Sequence, residues 1–386
     1  MGRIYLDWNA TAPLRAEAMA IMVETLALTG NPSSIHAEGR AALSRIDTAR
    51  CEVAGLVNAS EAAVIFTSGA TEAIATALTP HWRIAGEMKL VSRALIGATE
   101  HAAVLAGGRF PEGARERLGV DVRGLLDLAA LESRLAATPA PALVAVQAAN
   151  NETGVLQPIA EIAALVHAHG CIFACDAVQA AGRMPLDIMA LGADALMLSG
   201  HKLGGPQGTG ALVLRSETTA PAQALIAGGG QEMGRRAGTE AVAAIAGFGT
   251  AAELAAAERG EIAARLLGLR QMLETELVRR VPDAVILGRN VPRLPNTTMV
   301  GLDGAPAATL LMALDLSGFA ISSGSACSSG KVKRSHVLDA MGIERSLAES
   351  AIRVSLGRDT SETDLLRFAE GFEKAAKCLY RRASAA

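Results

Sequence analysis

Short apolar runs in this chain repeatedly give way to polar clusters, and that recurring join constrains the fold more than any other feature. Ala63-Val64-Ile65-Phe66 leads into Thr67-Ser68-Gly69-Ala70-Thr71-Glu72. Cys171-Ile172-Phe173-Ala174-Cys175 ends at Asp176, and Ala193-Asp194-Ala195-Leu196-Met197-Leu198 runs into Ser199-Gly200-His201-Lys202. Between such runs lie helical patterns, as where Ile159, Ile162, Ala163 and Val166 fall at i, i+3, i+4 and i+7. Helices alternating with apolar strands predict an α/β fold whose mainly parallel sheet is covered by helices. In open sheets of that kind ligands sit beyond the carboxyl ends of the strands, so the polar clusters mark a site.

A chain of 386 residues is too long for one small core, which favours a large domain with a smaller companion. Beyond about Gly260 the pattern changes to a long charged helix over 261–280, short strands and a closing helix near 362–379. The expected division is 15–259 for a large domain, with 1–14 and 260–386 forming a smaller α/β domain. The least polar stretch, 241–257, is interrupted by Gly247, Gly249 and Glu253, whereas a spanning helix needs ~20 apolar residues. It reads as a buried helix, and no membrane association is expected.

The acidic Asp7 stands where a signal peptide needs an apolar core, and the five cysteines are scattered and odd in number. Both point to the cytoplasm and to reduced thiols. Cys51, Cys171 and Cys175 read as buried small hydrophobes, Cys378 is given no role, and no metal site is expected. A formal charge of −3 gives no broad attraction for nucleic acid.

Ser68-Gly69-Ala70-Thr71, after a strand and before a helix, offers backbone N–H groups, hydroxyls and the positive end of a helix dipole, which suit a phosphate. The same four residues also suit an ordinary helix N-terminus. Company decides between these readings. Asp176 and Lys202 close successive strands and can face one cleft. Pyridoxal phosphate needs a Schiff-base lysine, an acid for its ring nitrogen and a phosphate cup, and the three segments supply one of each.

These segments stand with Asn9-Ala10-Thr11, Gly30-Asn31-Pro32-Ser33-Ser34, Thr99-Glu100-His101, Asn150-Asn151-Glu152-Thr153-Gly154, Arg236 to Glu240, Ser322 to Gly330 and Arg353 to Arg358. Together they make the chain resemble, nearly end to end, the cysteine desulfurases of the class V aminotransferase group, fold type I pyridoxal-phosphate enzymes. The resemblance implies that Lys202 carries the cofactor, Asp176 holds its ring proton and His101 stacks on the ring. It implies Gln179 and Asn151 at the ring hydroxyl, and Ala70, Thr71, Ser199 and His201 around the phosphate. Thr239 would join them from the second subunit of a homodimer. Asn31 and Arg353 would hold the substrate carboxylate. His101 also reads as a simple helix cap, and without the family the two readings stand level.

Cys327 lies among small residues, Ser322 to Gly330, where a mobile exposed loop is expected. By resemblance it takes sulfur from L-cysteine as a persulfide, leaves alanine and passes the sulfur to an acceptor or scaffold protein, for iron–sulfur clusters or for thiolated cofactors or RNA. A free thiol of pKa ~8.5 needs a neighbouring base or cation to ionise, and His101 is the candidate. Selenocysteine lyase on the same scaffold, and a non-catalytic dimeric scaffold, remain alternatives. Trp8, Ala12 and the basic Lys331-Val332-Lys333-Arg334 depart from the usual pattern, and the last of these bears on the partner.

Overall fold

A computed structural model of the protein describes residues 2–324 and 334–383, the side chains of 380–383 excepted. Its centre is a seven-stranded sheet in the order Val64–Thr67, Gly210–Leu214, Ala195–Ser199, Ile172–Asp176, Leu143–Ala145, Ala94–Gly97, Arg115–Leu118. Neighbouring strands are parallel except at Gly210–Leu214, which runs against both of its neighbours. Alternation along each strand fills two apolar layers: Phe173 and Cys175 face one cluster, Ile172 and Ala174 the other. Burial on both faces explains why the strands read as continuous apolar runs rather than as alternating ones.

A second core lies around the antiparallel sheet Ala284–Leu287, Thr297–Leu302, Ile352–Ser355, Ser322–Ser323. Helices Ala307–Leu316 and Glu362–Ala383 contribute Leu310, Leu314, Phe368 and Phe372 to it. The amino-terminal strand Ile4–Tyr5 pairs in parallel with Phe319–Ala320, so the first residues belong with this core. No helix among the described residues is long and apolar enough to cross a membrane.

Three expectations are corrected. The buried stretch at 241–257 and the charged helix at 261–280 are one helix, Val242–Arg280. Its first half puts Ile245 and Phe248 into the large core and its second half puts Leu266, Leu273 and Leu277 into the small one. It therefore crosses the expected boundary at 259/260 without a break, and the change in polarity marks only a change of neighbours. Cys51 is exposed, because it lies on the outer side of helix Ala37–Leu56, while Cys171 and Cys175 are buried. Ser322 and Ser323 are buried strand residues paired with Arg353 and Ile352 instead of loop residues. Cys327 lies outside the described residues.

Helix Ala37–Leu56 packs on helix Val242–Arg280 at Gly249, where an added Cβ would fall 2.2 Å from Glu52 Oε2. Burial, and then the charge of Glu253, push the Glu52 carboxyl up to about 7 from its ordinary 4.5. A folded-state value above the unfolded one means that stability is full below pH ~4.5 and is lost as the pH rises towards 7. Glu52→Gln is therefore expected to raise the melting temperature by roughly 1–3 °C at pH 8, a figure discounted for partial exposure, and to leave it unchanged at pH 4.5. Equal shifts at both pH values would refute this reading.

Candidate active site

The parallel strands bring their carboxyl ends to one rim, and there the residues after them enclose a cavity of about 560 Å³. Ser68 to Thr71 follow the first strand, His101 the Ala94–Gly97 strand, and Gln147 to Asn151 the Leu143–Ala145 strand. Asp176 ends the Ile172–Asp176 strand and Gln179 follows it, and Ser199 ends the Ala195–Ser199 strand with His201 and Lys202 after it. Reversal of Gly210–Leu214 places the start of that strand at the same rim, so Gln207, Gly208 and Thr209 also line the cavity. A Cβ at Gly210 would lie 2.6 Å from the Gly69 carbonyl carbon, so only glycine lets the two backbones meet there.

Lys202 Nζ donates to the carbonyls of Asn9 and Ala10, both at 2.7 Å. Asn9 is itself locked to the small core: its Nδ2 donates to Thr297 Oγ1 at 2.9 Å and its N–H to Ser355 Oγ at 3.0 Å. The lysine is thus held against a segment that both cores fix. Asp176 is buried on the adjacent strand and its Oδ1 accepts the Val178 N–H at 2.9 Å. Burial raises its pKa, opposed by that bond and then by His101 and Lys202. A carboxylate left in that position gains from a further cation in the cavity.

His201 places Nδ1 3.1 Å from Thr11 Oγ1. Burial, reinforced by Lys202 and Arg183, lowers its pKa to about 4, so at neutral pH it is an uncharged hydrogen-bonding group. Helix Ala70–Ala77 begins at the rim, and its first turn leaves N–H groups without intrahelical acceptors. His101 is both a cap and a cavity residue: its Nδ1 accepts the Ala103 N–H at 3.2 Å, and its ring lines the cavity. Because Nδ1 is an acceptor, the neutral ring carries its proton on Nε2. His101 then presents a donor at that atom.

Arg353 is buried at the far wall. It donates to Asn151 O at 2.9 Å and to Asp7 Oδ1 at 2.8 Å, while its buried Nε has no hydrogen-bond partner among the described residues. Gln179 reaches the cavity with Nε2 donating to Asn9 O at 3.0 Å and Oε1 accepting from Arg183 at 2.6 Å. Asn31 is exposed and does not line this chain's own cavity, and its Oδ1 accepts the Ser33 N–H at 2.9 Å. Thr239 is exposed and outside this chain's own cavity.

Two buried acids carry no role in the sequence reading. Glu100 Oε1 accepts the Gln147 N–H at 2.7 Å and Oε2 has no hydrogen-bond partner among the described residues, and burial with the nearby Asp176 raises its pKa well above the ordinary value. Both effects favour its protonated form. Glu152 accepts the Ser335 hydroxyl, and a Cβ at Gly324 would meet its Oε2 at 2.0 Å. His336 Nε2 lies 2.8 Å from Glu100 O. Gly324 lines the cavity, and Ser335 is tied to Glu152 beside it. Gln147 was discoverable from sequence by the strand-end rule; residues 207–209 were not, because they precede a strand.

A lysine, a buried acid on the next strand, and a helix N-terminus at one rim define a pyridoxal-phosphate site on an α/β sheet. The model of the family "Aminotransferase class-V" matches residues 4–368, and the chain belongs to that family, whose cofactor is pyridoxal phosphate. The curated "Cysteine desulfurase" of Cereibacter sphaeroides is 43% identical over 378 residues, covering 96% of this chain and 95% of that protein. The solved NifS-like protein from Rickettsia africae matches with a TM-score of 0.86 and 34% identity, over 97% of this chain and 99% of the other. A structure described as SspA in complex with cysteine matches at 0.75 and 27%, over 92% and 98%.

Proposed function

We propose that the protein is a cysteine desulfurase that converts L-cysteine to L-alanine and holds the sulfur as a persulfide on Cys327. The reading is carried by a buried guanidinium, Arg353, which lines the cavity that Lys202 and Asp176 share. An amino acid needs one anion receptor and one amine-reactive centre, and the cavity holds both. The names of the relatives support cysteine as that amino acid.

The residues present fit the cofactor. Asp176 would take its ring nitrogen, Lys202 its carbonyl carbon, and Ser68 to Thr71 with Ser199 and His201 its phosphate. When bound, pyridoxal phosphate supplies the electron withdrawal that makes an amino-acid Cα–H acidic. Arg353 holds the substrate carboxylate by charge-assisted bonds. Lys202 Nζ, between two carbonyl acceptors, takes and returns the Cα proton. The Cys327 thiolate then attacks the substrate sulfur: an S–S bond forms, the Cβ–S bond breaks, and its electron pair stays on carbon, which is protonated to give alanine. Enzyme thiol and cysteine become enzyme persulfide and alanine, with no external oxidant.

Thr239, exposed and away from its own cavity, is assigned to the phosphate site of a second copy, which makes the active unit a homodimer. The persulfide sulfur goes to an acceptor or scaffold protein. On this reading residues 15–259 form the large cofactor-binding domain, and 1–14 with 260–386 form the small domain to which Cys327 belongs. Losing one charged hydrogen-bonding group costs about 2 kcal/mol, roughly thirty-fold. Arg353→Met should therefore raise KM for cysteine by about that factor while the cofactor stays bound; an unchanged KM would remove the carboxylate assignment.

A further inference from the structure

The strand that leads into the phosphate turn, Val64–Thr67, is at the edge of the seven-stranded sheet, and its outer backbone groups need partners. They find side chains. Arg50 donates to Val64 O at 2.8 Å, and Glu232 Oε2 accepts the Phe66 N–H at 3.0 Å. The two side chains form a bidentate pair with each other, at 2.7 and 2.8 Å, and the guanidinium lies 4.9 Å from the Phe66 ring centre. A buried ion pair thus stands where a neighbouring strand would be. Glu232 reaches it from an unusual backbone: Glu232 has φ 49° and Met233 has φ 55°, two successive non-glycine residues in the left-handed region. Such conformations persist only where surrounding contacts enforce them.

The same segment grips the other side of the turn. Arg236 Nε donates to Glu72 Oε1 at 2.9 Å, and Glu72 Oε2 accepts the Ser68 N–H at 2.8 Å. Phe66 precedes the turn and Glu72 follows it. Both anchors come from residues 232–236, and neither is needed to fill a core.

We propose that Glu232 and Arg236, with Arg50 and Glu72, are positioning residues that brace the Ser68 to Thr71 turn for the cofactor phosphate. The inference rests on the reading of that turn as the phosphate site. The brace also fixes the start of the segment that ends at Thr239.

The test uses the apoprotein and two probes, pyridoxal 5'-phosphate and pyridoxal, which differ only in the phosphate. In the wild type the phosphorylated probe is expected to bind far more tightly. Glu232→Ala is expected to weaken pyridoxal 5'-phosphate at least ten-fold and pyridoxal less than three-fold. Arg236→Met, at the more accessible pair, gives the same selective loss and serves if the first variant does not fold. The swap Arg50→Glu with Glu232→Arg should not rescue binding, because it would turn a donor toward the Phe66 N–H and an acceptor toward the Val64 carbonyl. An unchanged ratio of the two affinities in both single variants, or full rescue by the swap, overturns the brace. Wild-type protein that binds neither probe overturns the cofactor reading instead.

Discussion

Lys202→Ala yields a protein that still folds but no longer holds pyridoxal phosphate covalently, and cysteine turnover falls by roughly 10³-fold or more. The expectation follows from geometry. Among the described residues lining the cavity, Lys202 is the one with an amine, and it projects from the end of the strand next to the Asp176 strand. Its removal also takes a donor from the Ala10 carbonyl, while Asn9 O keeps Gln179 Nε2, which costs on the order of 1–3 kcal/mol and lowers the melting temperature slightly. Absorbance of the lysine-bound cofactor separates the two effects. If the band survives in the variant, the covalent link lies elsewhere and the site is misassigned.

Cys327→Ser is expected to separate binding from desulfuration. Arg353, Asp176 and Lys202 are untouched, so cysteine still binds and still perturbs the cofactor spectrum. A serine hydroxyl is almost wholly protonated at neutral pH and forms no persulfide, so alanine formation falls by orders of magnitude. Alanine release at the wild-type rate would assign the sulfur to another acceptor.

The site was legible in sequence where a residue lies at or just beyond the carboxyl end of a parallel strand. Asp176 and Lys202 are of this kind, since an apolar run ending in one charged residue has few structural explanations. Gln207 to Thr209 were invisible because their strand runs backwards, and direction leaves no mark on an apolar run. The place of Asn31 was not legible, because a short motif fixes neither which way a loop folds nor which chain's site it serves. The Val242–Arg280 helix was divided in two because its first half is buried in one core and its second half is partly exposed beside another. The Arg50 to Glu232 pair was also hidden: its members are far apart in sequence, and each alone reads as a surface charge.

His101 shows how two readings can hold together. The Ala103 N–H on Nδ1 caps a short helix and, by the same bond, fixes the tautomer that the ring presents to the cavity. The structural role sets the chemical one.

Mass spectrometry of the protein after a single addition of L-cysteine, without reductant, tests the account most directly. The expected result is one added sulfur atom per chain, located on the peptide that contains Cys327 and removed by a thiol, with an equal amount of alanine released. Alanine without sulfur on that peptide, or sulfur on Cys51 or Cys378 instead, would contradict it.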